Sequence, residues 1–252
     1  MKAAIDINSD AVTMRKNLGE DVHSPVDIFT LLGNREDLTI TFIPMSERIS
    51  GICIREESNN LIAINSTLSY GRQRFTAAHE MYHLYFHKDF DKIICSKDID
   101  TNKDPGEIEA DSFASYFLAP YEALKYFIEQ KLGESKGKLT VNDVVGIEQQ
   151  FGMSRQAILW RLVKEKYISR HEAEGMKTGI IRSALRLGYD DRLYVPASKD
   201  RLYFTFGKYI KMAEELKEKE IVSTGKYEEL LLSAFRGDIV FGLVAEGEDS
   251  YD

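Results

Sequence analysis

The run from Gly71 to His87 has no proline and, after Gly71, no glycine, and it carries His79-Glu80-Met81-Tyr82-His83 at its centre. Phe75, Ala78, Tyr82 and Tyr85 recur at helical spacing, which predicts a mostly buried helix. Residues i and i+4 of a helix stand side by side, with Cβ atoms about 5–6 Å apart. His79 and His83 can therefore reach one Zn²⁺ at about 2.0–2.1 Å. Glu80 is turned about 100° from His79, beside the ion rather than on it, which is where a general base belongs.

His83 and His87 form a rival i, i+4 pair, but Leu84 follows His83 and supplies no base. His79 and His87 are about 12 Å apart along the axis, so one ion cannot take all three, and His87 reads as a helix-end or surface residue. A catalytic zinc needs a third protein ligand and an open position. The metzincin pattern asks for glycine and histidine where this chain has Phe86 and Asp89. The next helix, opened by Pro105, offers Glu107 and Asp111 on one face. Glu107 can ligate while Asp111 hydrogen-bonds the far nitrogen of a liganding histidine. Ala110 and Ala114 let that helix pack closely on the first. Glu109, rotated about 200° from Glu107, is the alternative third ligand.

Around this pair the chain reads as α+β: a mainly helical, zincin-like core with a small antiparallel sheet. Residues 9–34 predict two short helices, capped by Ser9 and opened by Ser24-Pro25. Leu38–Ile43, Ile49–Arg55 and Leu61–Asn65 predict strands, the last two forming a hairpin turned at Ser58-Asn59-Asn60. Residues 88–104 read as a charged loop, 121–132 as an amphipathic helix and Lys131–Lys138 as a linker. The two cysteines, Cys53 and Cys95, make no disulfide scaffold and read as small core residues. The N-terminus lacks an apolar signal core, and no apolar run approaches the roughly 20 residues that span a bilayer. A cytoplasmic protein without membrane contact is expected.

Residues 140–168 read as a helix-turn-helix-like unit, with the turn at Phe151-Gly152-Met153 and Ser154 capping the second helix. The whole chain carries a net charge of −8, unfavourable for nucleic acid. Residues 138–170 nevertheless hold six basic side chains (Lys138, Arg155, Arg161, Lys164, Lys166, Arg170) against three acidic ones. The unit is thus either a structural helical hairpin or a DNA reader. Residues 170–252 read as mainly helical, with a solvated face at Glu214–Glu220, a packing helix at Tyr227–Phe235 and an acidic tail at Glu246–Asp252. The expected division is a zinc metallopeptidase domain at 1–135, the helix-turn-helix-like unit at 136–169 and a helical C-terminal region at 170–252.

Arg72-Gln73-Arg74-Phe75-Thr76-Ala77-Ala78-His79-Glu80, running on through His83 to His87, resembles the ImmA/IrrE family of metallo-endopeptidases. So do Glu107-Ile108-Glu109-Ala110-Asp111-Ser112-Phe113-Ala114 with Leu118-Ala119-Pro120, and the upstream hairpin Gly51–Ile54 and Leu61–Ser66. The chain departs at Tyr82, where the family often has glycine, and at Asp111, where it often has asparagine. The resemblance implies a zinc peptidase with His79, His83 and Glu107 as ligands and Glu80 as the catalytic residue. It also implies a protein substrate, commonly a helix-turn-helix repressor whose cleavage relieves repression. The competing expectation is a DNA-binding regulator whose metal site is structural or sensory.

Overall fold

The computed structural model describes residues 2–56, 59–87, 92–96, 104–134 and 137–242. Helices α1 (Ala4–Asn17) and α2 (Ile28–Gly33) lead into strands β1 (Leu38–Ile43), β2 (Ile49–Ile54) and β3 (Asn60–Asn65), then helix α3 (Tyr70–Phe86). Strand β4 (Lys92–Ser96) and helix α4 (Pro105–Leu118) follow, then α5 (Tyr121–Tyr126), which runs on as a π-helical turn, Phe127–Lys131. Helices α6 (Val141–Phe151), α7 (Arg155–Lys164), α8 (Arg170–Gly175) and α9 (Ile180–Arg186) come next. Strand β5 (Phe204–Gly207) and helices α10 (Lys208–Glu218), α11 (Thr224–Ser233) and α12 (Gly237–Val240) complete the described chain.

The sheet is mixed, not purely antiparallel, with strand order β4-β2-β3-β1-β5. β2 and β3 form the expected antiparallel pair; Ser58 of the predicted turn lies outside the described residues. β1 runs parallel to β3, with Leu38 opposite Asn60 and Ile43 opposite Asn65. Parallel neighbours require a crossover, and residues 44–59 provide it by carrying β2 to the far side of β3. The two outer strands come from stretches read otherwise. β4 arises within the expected loop 88–104 and pairs with β2, with a register shift between Ile49 and Gly51. β5 arises in the mainly helical C-terminal region and pairs with β1, where the Phe42 and Phe206 rings stack at 6.2 Å.

Two helix starts also differ from expectation. α1 begins at Ala4, before Ser9, because Ile7 and Ala11 are buried in the core and Lys2 is tied down at both ends. Its Nζ meets Asp10 at 2.8 Å and its backbone N–H donates to Glu109 at 2.5 Å. α2 is capped by Asp27 rather than opened at Ser24-Pro25. The charged end of α10 is exposed as expected, and α11 packs through Leu231. The acidic tail lies outside the described residues. No described helix is long and apolar enough to cross a membrane.

α3 lies between the sheet and α4, and nearly every side chain from Gly71 to Leu84 is buried. Ala77, Ala78, Ala110 and Ala114 are fully buried, and α3 packs extensively on α4. One hydrophobic core runs from Ile7 through α3 and α4 to Leu162 and Ala173, so α6 and α7 share it. Arg74 fastens α3 to the α6–α7 turn, its Nε donating to the Gly152 carbonyl at 3.0 Å and its Nη2 to Val26 at 2.6 Å. Gly152 has φ of +61°, and a Cβ there would stand 2.6 Å from Arg74 Nε. Glycine is thus required both by the left-handed turn and by the guanidinium above it.

A buried ion pair holds the same unit together. Arg155, 2% exposed, pairs with the fully buried Glu148, which also accepts from the Tyr194 hydroxyl at 2.8 Å. Arg155 further donates to the Met176 carbonyl and to Ser183. Removing one partner of such a pair leaves an uncompensated buried charge and costs about 3–5 kcal/mol. Glu148→Ala is expected to lower unfolding stability by about that amount in chemical denaturation. A loss within about 0.5 kcal/mol, typical of surface changes, would show that Arg155 finds solvent.

Candidate metal centre

α3 brings His79 and His83 side by side, their Nε2 atoms 3.1 Å apart and the residues 4% and 1% exposed. α4 opens at Asp104, whose side chain accepts from the Gly106 N–H at 2.9 Å, and Glu107 stands in its first turn. The Glu107 carboxylate faces both imidazoles, Oε2 at 3.3 Å from His79 Nε2 and Oε1 at 3.1 Å from His83 Nε2. One turn further along α4, Asp111 Oδ1 accepts from His79 Nδ1 at 2.9 Å. Glu109 points elsewhere: Oε2 accepts from the Tyr82 hydroxyl at 2.8 Å and Oε1 from the Lys2 N–H. Glu107, not Glu109, thus joins the histidines.

His87 is not simply a surface residue. It caps α3, and its Nδ1 lies 2.9 Å from His83 Nδ1. Gly106 makes room for the ring, since a Cβ there would come within 2.5 Å of it. In the neutral tautomers in which His83 Nδ1–H donates to His87 and His79 Nδ1–H donates to Asp111, both Nε2 atoms would present lone pairs toward the Glu107 carboxylate. Lone pairs and a carboxylate converging in a buried space are reconciled by a cation. Tetrahedral bonds of about 2.0–2.1 Å would place such donors about 3.3–3.4 Å apart, close to the separations found. Glu107 Oε2 is buried and without a hydrogen-bond partner among the described residues. His79, His83, Glu107 and Cys95 have donor atoms all within 4.8 Å of one another, a group able to hold a metal ion.

The electrostatics favour positive charge at this point. Burial drives the His79 imidazole toward neutrality, but hydrogen bonds to Asp111 and Glu107 hold its pKa above the ordinary histidine value. Burial raises Glu107, but the two imidazoles pull its carboxyl well below the usual carboxylate range. His83 is lowered by burial.

Glu80 is fully buried beside the group. Oε2 accepts from the Cys95 thiol at 3.3 Å, and Oε1 has no hydrogen-bond partner among the described residues. Burial lifts its pKa to about 7, against the lowering effect of His79 and of the Cys95 and Cys53 thiols. Gly51 on β2 provides the space, because a Cβ there would lie 2.7 Å from Glu80 Oε1. Gly51, Cys53, Cys95 and His87 carry no local sequence signal for this placement. The β2–β4 pairing brings up the first three, and the end of α3 brings up His87. Tyr82 stacks on Phe86 at 5.2 Å, and the Tyr85 hydroxyl donates to Asp37 at 3.4 Å, so both serve the packing.

Two of the six cations of the helix-turn-helix-like unit are spent on acids inside the protein. Arg155 is in the buried pair, and Arg161 is fully buried, donating to Glu165 and Ser115. Lys164 donates to Ser112 at 2.8 Å. Lys138, Lys164, Lys166 and Arg170 remain as the exposed cations of the six.

The sequence matches the model of the peptidase M78 family, described as the IrrE N-terminal-like domain, over residues 34–163. No curated protein matches the chain. Partners that orient a liganding histidine are worth about 10–100-fold in metal affinity. Asp111→Ala is therefore expected to weaken zinc binding about 10–100-fold in chelator-competition titrations. Unchanged affinity would mean that Asp111 does not orient His79 for a metal.

Proposed function

The chain belongs to the peptidase M78 (IrrE N-terminal-like) family of metallopeptidases, and on that premise we propose that it is a zinc-dependent endopeptidase cleaving a helix-turn-helix repressor to relieve repression. The observation that carries this reading is the convergence of His79 Nε2, His83 Nε2 and the Glu107 carboxylate, with Glu80 buried next to them. The reading assigns His79, His83 and Glu107 as ligands, Asp111 as the residue that orients His79, and Glu80 as the general base. It assigns the reacting residues to 1–135, with 136–169 sharing their core and 170–252 adding β5 to their sheet.

A zinc ion bound here supplies a Lewis acid for the scissile carbonyl and activates water near neutral pH. The protein does the rest. Asp111 accepts His79 Nδ1–H and thereby fixes the tautomer that leaves Nε2 free. His87 does the same for His83. Glu80 Oε1, unpartnered and near neutral in pKa, takes a proton from the attacking water and returns it to the leaving amine. Surrounding burial keeps bulk water from competing for Glu80.

A repressor as substrate rests on the family resemblance, and the burial of Arg155 and Arg161 counts against the competing DNA-binding reading. The protein should be incubated with a helix-turn-helix repressor encoded beside its gene. General base catalysis contributes about 10²–10⁴-fold, so Glu80→Gln is expected to slow cleavage by that factor while retaining zinc. Equal cleavage by both proteins would sink the mechanism. A salt-dependent shift of one DNA sequence with no proteolysis would favour the regulator instead.

A further inference from the structure

Cys95 is a buried thiol beside the centre for which hydrolysis has no use. Its Sγ lies within 4.8 Å of the donor atoms of His79, His83 and Glu107. It is 3.8 Å from Glu107 Oε1 and 3.3 Å from Glu80 Oε2. Zinc bonds of about 2.3 Å to sulfur and 2.0–2.1 Å to nitrogen or oxygen would set sulfur about 3.5–3.6 Å from its neighbouring donors. The Glu107 contact is within a few tenths of an ångström of that spacing. The thiol also stands against Glu80, where an attacking water would have to sit for Glu80 to act on it.

Building on the metal-centre reading above, we propose that Cys95 is a fourth protein ligand in the resting protein, closing a His₂-Glu-Cys centre, and that peptide hydrolysis requires its displacement. On metal entry the Sγ–H bond breaks, the proton passes to Glu80 Oε2, and an Sγ–metal bond forms, with no change in oxidation state. Displacement reverses this: Cys95 recovers the proton, and Glu80 is again free to accept one from water. The resting form therefore fills the open position and occupies the base at the same time. Closed four-ligand zinc sites are structural, whereas catalytic ones keep a position open, and this chain holds the residues for both states.

The fold allows the exchange. Cys95 is on β4, which among the described residues is bonded to β2 alone, so withdrawing it disturbs one described ladder and leaves α3 and α4 in place. A coordinating cation deprotonates a thiol outright. Cys53 also faces Glu80, yet it is not among the four converging donors. Its register position, opposite Ile93, is diagonal to that of Cys95, opposite Gly51. Such diagonal positions are about 7–8 Å apart, beyond the usual disulfide span, so coordination and not cross-linking is the chemistry on offer.

Cobalt substitution of the full chain tests this without an activity assay. Cobalt-loaded wild type is expected to show visible ligand-field bands together with a near-ultraviolet thiolate-to-cobalt charge-transfer band. Cys95→Ser and Cys95→Ala should keep the first and lose the second, and Cys53→Ser should keep both. Ligand-field bands without charge transfer in wild type would overturn the proposal while leaving the metal centre intact. Charge transfer that persists in both Cys95 variants would overturn it too. Absence of all cobalt bands would overturn the metal-centre reading along with it.

Discussion

The contact between α3 and α4 is the constraint on which the rest of the centre depends. Ala110 and Ala114 on the Glu107–Asp111 side of α4 are fully buried, and small side chains there let the helices approach closely enough for a glutamate on α4 to meet two imidazoles on α3. Larger residues at these positions would widen the gap and separate Glu107 from His79 and His83, even with all three retained. The sheet sets the opposite wall. β2 delivers Gly51 and Cys53, and β4 delivers Cys95, against the far side of Glu80. The centre is therefore a product of packing between layers, not of one helix.

How much of this was legible in the sequence follows from which interactions are local. His79, Glu80 and His83 lie within five residues of one another, and helical period alone puts them on adjacent faces. Asp111 follows Glu107 by one turn, so their shared face was legible too. Choosing Glu107 over Glu109 was not, since it depends on the rotation of α4 about its axis. Tyr82 and the Lys2 backbone hold Glu109 away, and Lys2 is remote in sequence. β4 and β5 were missed because each is short and draws its stability from partners far along the chain. The parallel β1–β3 pairing was missed for a related reason: alternation identifies a strand but says nothing of its neighbour.

The helix-turn-helix-like unit shows how a charge count can mislead. Its turn and its Ser154 cap are where the sequence places them, and the structure adds a capping box at Thr140. The cations on α7 are a different matter. Arg155 and Arg161 are as buried as the leucines beside them, each matched to an acid and to further acceptors. Counting cations assumes that each side chain faces solvent, and here the helix turns two guanidinium groups inward against acids while four cations stay exposed. The unit is built into the same core as α3 and α4, and Arg74 reaches from the metal helix to its turn.

Burial of so many ionisable groups at one point asks for a thermodynamic explanation. His79, Glu80, His83 and Asp111 are each at most 4% exposed, and an unpaired charge in such surroundings is strongly unfavourable. Pairing His79 with Asp111 and Glu107 offsets part of that cost, but Glu80 Oε1 and Glu107 Oε2 remain without hydrogen-bond partners among the described residues. A divalent cation changes the balance, because it compensates the carboxylates directly and binds the folded arrangement but not the separated residues of an unfolded chain. Ligand bound only to the native state stabilises it by about 2.7 kcal/mol at a hundred times its dissociation constant. That is a substantial part of the roughly 5–15 kcal/mol by which domains are stable. In the proposed centre, folding and metal occupancy would be linked through His79, His83 and Glu107. A cation held by these residues would supply the chemistry proposed for α3 and at the same time make the burial of its polar face tolerable.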